Sequence, residues 1–222
     1  MISVIIPAYK AAKYIHECLD SIQGAEILVG VDGNCQETLD SLHNYVRKNV
    51  KIYTFSNING PFVIKNTLVD QASNEHILFF DSDDVLVEGV IERMDERLAE
   101  NHYVKLNYIN FYNKPTTRGH MMNDAVIAIK RSVFNSINGF QPWRCGADTE
   151  LAYRLQHNHF KHKVLDGLAY HRRLHGENLT SRPDTGHKSP LREKYVAYIN
   201  EHIKLNSWPN PQTKTTASYV TY

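Results

Sequence analysis

"HILFFDSDDVL", residues 76 to 86, drives an apolar, strand-like run straight into four consecutive polar positions, three of them aspartates. Like charges this close disfavour one another's ionisation, so Asp81, Asp83 and Asp84 cost stability unless something cationic sits among them. Aspartates at i and i+2 after a strand can face one ligand where the backbone turns, and hard carboxylate oxygens suit Mg²⁺ or Mn²⁺. The competing reading is structural: a loop aspartate caps a following helix, and the apolar "VLVEGVIERMDERL" comes next, with Asp84 best placed as the cap.

Working outward, residues 2–6 "ISVII", 26–31 "EILVGV", 50–55 "VKIYTF" and 76–80 "HILFF" are short runs rich in Val, Ile and Phe, and each reads as a strand. Between them "AAKYIHECLDSIQ", "CQETLDSLHNYVRKN" and "PFVIKNTLVDQAS" place apolar residues three and four apart, as helices do. This alternation predicts an α/β fold with a mainly parallel sheet covered on both faces and a ligand at the carboxyl ends of its strands. "PAYK" (7–10), "DGN" (32–34) and "DSDD" (81–84) then share one rim. Beyond Glu100, 102–113 and 125–130 read as strands and 147–158 as a helix, forming the other wall of a cleft. From Ser207 the chain is rich in Pro, Ser and Thr without a period, which reads as a draped tail or a disordered one.

A chain of 222 residues suffices for one sizeable core. A net charge of +1 with 22% charged residues provides no overall field for nucleic acid or an anionic membrane, so neither is expected as a partner. The opening "MISVIIPAYK" lacks the features of a signal peptide, and no apolar run reaches the length of about 18 residues that a spanning helix needs. A soluble, cytoplasmic protein without a membrane span is the expectation. Cys18, Cys35 and Cys145 have no ligand spacing and read as structural thiols.

"DSDDV" also fits the D-x-D-x-[TV] pattern of haloacid-dehalogenase-like phosphatases, whose first aspartate is a nucleophile. There the motif ends the first strand, whereas here three strand and helix units precede it. "ISVIIPAYKAAKYIHECLDSI", "VDGNC" and "DSDD" together resemble family 2 glycosyltransferases of the GT-A fold, over roughly residues 1–180. The resemblance implies one GT-A domain over 1–205, with a nucleotide-binding half (1–100) and an acceptor and catalytic half (101–205), then a tail (206–222). The implied ligand is a nucleotide-diphosphate sugar, with a UDP-sugar favoured. Pro7, Ala8 and Tyr9 would line the nucleoside pocket, and Asp32 would hydrogen-bond the base; simple packing is the other reading of Tyr9. Lys65 stands where the family usually has Arg, as a nucleotide contact or an ordinary solvated lysine, and Asn66 would help shape the pocket.

"GADTELAYRL" (146–155) is similar to the family's "GEDxDLxxRL" helix start, which makes Asp148 the general base. An acceptor hydroxyl needs such a group at neutral pH. Asp148 could also simply favour its helix N-terminus. Ala147 replaces a frequent acidic residue and leaves Glu150 as a candidate second carboxylate, for acceptor binding or for tuning the base. "YHRRLHGENLTSR" (170–182) looks like the family's "YRxHxxSxS" element, with His175 matching the His and Thr180 the closing hydroxyl. His175 would complete a cation site with Asp83 and Asp81, Asp81 and Ser82 would meet the nucleotide sugar, and Arg172, Arg173 and Arg182 would meet the diphosphate. Trp143 would stack on an acceptor sugar or fill the core. Without the QxxRW element of processive synthases, transfer of one sugar to a glycan or small glycoside follows. A nucleotide-sugar-binding protein without transfer and a nucleic-acid acceptor, suggested by the basic "KHKVLDGLAYHRRLHG", are the alternatives.

Overall fold

The computed structural model describes residues 1–43, 45, 47–115, 121, 126–208, 211 and 214–220. In chain order the elements are β1 (Ile2–Ala8), α1 (Ile15–Asp20), β2 (Glu26–Val31), α2 (Gln36–His43), β3 (Val50–Thr54), α3 (Pro61–Val69) and β4 (His76–Phe79). Then come β5 (Val85–Leu86), α4 (Val90–Glu100), β6 (Tyr103–Lys105), β7 (Tyr108–Phe111), β8 (Ile127–Lys130) and α5 (Arg131–Ser136). The chain closes with α6 (Ala147–His157), β9 (His162–Val164), β10 (Tyr170–Arg173), α7 (Pro190–Leu205) and β11 (Ser218–Val220).

The two-residue period of the strands sets the layers. β1 sends Ile2, Val4, Ile6 and Ala8 into one core and Ile5 into the other; β2 does the same with Ile27, Val29 and Val31 against Leu28. The first core is closed by α1, α2 and α4, the second by α3, α5 and α6. Eight strands form the main sheet in the order β11-β3-β2-β1-β4-β8-β6-β9, and a small sheet runs β5-β10-β7. β1 is parallel to β2 and β4, and β2 to β3. α3 is apolar around most of its circumference and is buried from Phe62 to Val69. Gly30 permits its close approach: a Cβ there would stand 2.4 Å from Ile64 Cγ2.

Several expectations need correction. Pro7 and Ala8 belong to β1, paired with Gly30 and Val31, so Ala8 points its methyl into the core and only Tyr9 and Lys10 emerge on the rim. The run 102–113 is two strands in different sheets, because the chain breaks at Leu106 and Asn107, where the Asn107 carboxamide donates to Leu165 O (2.7 Å) and Gly167 O (3.2 Å). The residues after the aspartates do not enter a helix directly: Val85 and Leu86 form β5 against β10, and α4 starts at Val90. The strand read at 125–130 is β8; Ala125 lies outside the described residues, as do Asn44 and Val46 of the helix read at 35–49.

α7 was not anticipated. Its start is legible in Ser189, whose Oγ accepts from Arg192 N (3.2 Å), and in Pro190 after it. It buries only Ile199, however, so no apolar stripe announces it. Parts of the C-terminal segment drape over the body: β11 pairs antiparallel with β3, Lys214 Nζ meets the Asp70 carboxylate (2.7 Å) and Thr215 N donates to Thr67 Oγ1 (3.1 Å). Residues 209, 210, 212, 213, 221 and 222 of that segment lie outside the described residues. Among the described residues no helix is long and apolar enough to cross a membrane.

Candidate active site

Three strand ends, β1, β2 and β4, deliver the rim. After β2, Asp32 turns inward, buried, and its two carboxylate oxygens accept from Asn59 N (2.8 Å) and Gly60 N (2.9 Å). That pair of bonds holds the loop leading into α3, where Gly60 adopts a φ of 86° that favours glycine. The backbone of Trp143 and Arg144 passes 3.9 Å from the place a Gly60 Cβ would occupy, so the second half of the chain closes over this loop.

Lys65 is buried on α3, not solvated, and its Nζ meets Asp81 Oδ1 at 3.0 Å. About half of the Asp81 side chain remains accessible. Desolvation works to raise its pKa, but the Lys65 charge and hydrogen bond prevail and hold the carboxyl below its ordinary value. Ser82 is half-buried in the turn. Asp83 Oδ2 accepts from His175 Nε2 (2.8 Å) and from Asn178 Nδ2 (2.9 Å). Asp84 caps no helix. Its Oδ1 accepts from Arg173 N (2.9 Å), which ties the acid loop to β10. Burial, then Asp83 and Asp81, push the Asp84 carboxyl well above the carboxylate range. The crowding of aspartates is thus relieved in part by the protein itself, through Lys65, the Asp84 shift and the donors of β10.

Arg173 does not reach out to a diphosphate. Its Nε donates to Asp83 O (2.9 Å), its guanidinium pairs with Glu17, and it lies between the Tyr14 and Phe111 rings at 4.6 and 4.5 Å. Arg182 is engaged with Asp184 (3.2 Å), and Arg172 donates to Thr180 Oγ1 (2.9 Å). The Tyr14 ring also packs on His175, centroids 5.0 Å apart. Tyr14, Glu17 and Asn178 are the residues that sequence reasoning missed. Tyr14 reads as part of an apolar helix face, whereas Asn178 occupies the first hydroxyl position of the "YRxHxxSxS" pattern and was findable there.

In the second half of the chain, Gly146 with a φ of 77° starts α6, and Asp148 stands in its first turn. Burial raises the Asp148 carboxyl above its ordinary value, opposed by the Lys65 charge and by Thr149 N, which donates to Oδ1 at 3.0 Å. Asp148 stands near enough to Lys65 and Asp81 for their charges to act on it, one lowering and the other raising its pKa. Glu150 is fully buried, with its Oε1 2.6 Å from Arg154 Nε and its Oε2 2.9 Å from Nη2. Arg154 donates further to Ile137 O and Gly139 O, both at 2.5 Å. Trp143 stacks on Tyr195 (4.3 Å, 3°) and meets Tyr198 edge-on, so one indole face is already covered by α7. Asn66 shapes the loop from behind, exchanging hydrogen bonds with Phe140 N and O at 2.8 Å.

A mostly parallel α/β sheet thus gathers carboxylates and a lysine at its carboxyl rim, with an imidazole on the Asp83 carboxylate; this rim is where such sheets carry their ligands. The Glycosyl transferase family 2 model matches residues 3–176. The chain belongs to this family. An uncharacterised glycosyltransferase of Haemophilus influenzae is 29% identical over 111 residues, 47% of this chain and 44% of its own length. Chondroitin synthase of Pasteurella multocida is 28% identical over 204 residues, 80% of this chain and 21% of its own. The crystal structure of residues 1–349 of S. aureus TarS in complex with UDP-GlcNAc superposes with a TM-score of 0.59 at 19% identity, over 78% of this chain and 58% of that one. That likeness shows the GT-A fold. The chain spans less than half the length of the curated relatives it matches.

Proposed function

We propose that the chain catalyses transfer of a single sugar, with inversion, from a UDP-sugar to a hydroxyl of a glycan or small glycoside. The observation that supports the proposal is the meeting of Asp83 with His175 and of Asp81 with Lys65 at the strand ends, with Asp148 near enough to feel the charges of Lys65 and Asp81. The donor class is supported by the UDP-GlcNAc seen in the TarS structure. Asp32 keeps a second lone pair on each oxygen beyond those used by Asn59 and Gly60, which suits it to accept from a base N–H.

The residues present fit a divalent cation. Among the described residues no three His, Cys, Asp or Glu side chains form a complete metal seat, so the protein would supply part of the shell and a bound diphosphate the rest. Asp83 and His175, whose side chains meet at 2.8 Å, are the residues that would hold the ion. Glu177 N lies 3.1 Å from His175 Nδ1, which puts the ring proton on Nε2; ligation through Nε2 requires the other tautomer and loss of that contact. When bound, the cation supplies charge stabilisation for the departing diphosphate.

The side chains do the rest. Lys65 keeps Asp81 ionised where it meets the ribose or donor sugar. Asp148, made more basic by its burial, takes the proton of the attacking hydroxyl as the new bond forms on the face opposite the leaving diphosphate. One displacement inverts the anomeric centre, with no covalent intermediate.

The test is release of UDP from a panel of UDP-sugars with Mn²⁺ present, with and without acceptor. Turnover that vanishes in Asp83→Ala supports the assignment. Binding of every donor without release of UDP would show an inert nucleotide-sugar binder instead.

A further inference from the structure

His175 stands on the loop after β10 and Asp83 on the loop after β4, yet the two side chains meet at 2.8 Å. Tyr14 packs on the imidazole and Glu177 N reaches its Nδ1 (3.1 Å), but neither touches Asp83. One carboxamide reaches both the Asp83 carboxylate and the His175 turn. We propose that Asn178 is the positioning residue of the cation seat: it sets the mutual geometry of Asp83 and His175 and leaves Asp83 Oδ1 as the oxygen presented to the ligand. This inference rests on the reading of Asp83 and His175 as cation ligands.

Asn178 is buried although it lies on a loop, and each polar atom of its side chain is used. Nδ2 donates to Asp83 Oδ2 (2.9 Å) and to Arg173 O (3.2 Å), while Oδ1 accepts from His175 N (2.6 Å). The side chain therefore joins the acid loop, the end of β10 and the turn that carries His175. With Oδ1 committed to His175 N, the carboxamide is not itself a ligand. Asp83 Oδ2 is filled by His175 and Asn178, whereas Oδ1 meets no protein donor among the described residues. A neutral donor is the appropriate one here. Lys65 restrains Asp81 with a full positive charge, which repels an incoming cation; the Asn178 amide restrains Asp83 without that repulsion. Groups that orient ligands in this way change metal affinity by about 10–100-fold when removed.

Part of the turn is held without the side chain. Ser181 N and Arg182 N donate to the main-chain oxygen of Asn178 (2.8 and 3.1 Å), bonds that any residue at 178 retains. Asn178→Ala keeps those main-chain bonds while removing the contacts to Asp83, Arg173 O and His175 N. Asn178→Ser supports it, keeping an oxygen that can accept from His175 N while ending one bond short of Asp83.

The experiment counts bound Mn²⁺ by loss of the free-ion electron paramagnetic resonance signal, using the whole chain with saturating UDP, and measures UDP affinity in chelator by calorimetry. Asn178→Ala and Asn178→Ser are expected to weaken Mn²⁺ binding by about 10–100-fold, with metal-free UDP affinity unchanged and the melting temperature lowered less in Ser than in Ala. Wild-type Mn²⁺ affinity in either variant overturns the proposal, and so does a loss of metal-free UDP affinity as large as the loss of Mn²⁺ affinity, which would mark a merely structural role. If Asn178→Ala fails to fold, the Ser variant decides on the same criteria. Absence of Mn²⁺ binding in the wild type, matching Asp83→Ala, overturns the cation reading beneath the proposal and the proposal with it.

Discussion

Two pairs of carboxylates stand at i and i+2 in this molecule, Asp81 with Asp83 and Asp148 with Glu150, and they behave oppositely. Both aspartates of the first pair reach the cleft, one against Lys65 and the other against His175 and Asn178. Of the second pair only Asp148 does; Glu150 points into the core and is spent on Arg154. The cause is backbone geometry. A turn after a strand can aim alternate residues at one ligand, whereas on a helix of 3.6 residues per turn positions i and i+2 stand about 200° apart. Spacing that signals a shared ligand in a loop signals opposite faces on a helix.

The strongest way to break this contrast is to remove charge from each member of the helical pair. Asp148→Asn should lower kcat/KM by about 10²–10⁴-fold in a UDP-release assay. It should leave the melting temperature unchanged or slightly higher, since a desolvated carboxylate is being neutralised. A large loss of stability with little change in rate would exchange the roles assigned to the two residues.

Arg154→Ala should do the reverse. It strands the Glu150 carboxylate in the core without its partner, a change that costs about 3–5 kcal/mol in urea denaturation. Replacing Arg154 and Glu150 together by apolar residues of similar volume should recover most of that loss. A double variant as unstable as the single one would show that the guanidinium's bonds to Ile137 O and Gly139 O, not the charge pair, hold α6 in place.

The smallest effect sharpens the link between the two regions. Because burial raises the Asp148 pKa, and the base must be ionised to act, the acid limb of the kcat profile should lie above that of an ordinary carboxylate. Lys65 opposes that rise, so Lys65→Met should move the limb to still higher pH on whatever activity remains. A limb that stays in place or moves down would separate the acid loop from the base.

Much of this arrangement is legible in the residues. The four Val- and Ile-rich runs stand as β1 to β4, parallel and at the centre of the sheet, because a strand covered on both faces must be apolar on both. The rim follows from where those runs end. The second half is less legible: β6, β7, β9 and β10 are three or four residues long, too short for a period to declare itself, and they divide between two sheets. Glu150, Arg173 and Lys65 share one feature that no local pattern declares. Each is itself buried and paired with an opposite charge, distant in the chain or one helical turn away.

From the sequence alone came the alternation of strand and helix, the acid loop closing the fourth strand and the helix start at Asp148, all local patterns that propensity and periodicity encode. Tertiary structure alone decided which charges meet: Asp83 with a histidine and an asparagine more than ninety residues away, Asp84 with the amide of Arg173, Lys65 with Asp81. The physical reason is that a charge's role depends on its partner and its solvation, and both are properties of the folded space around it.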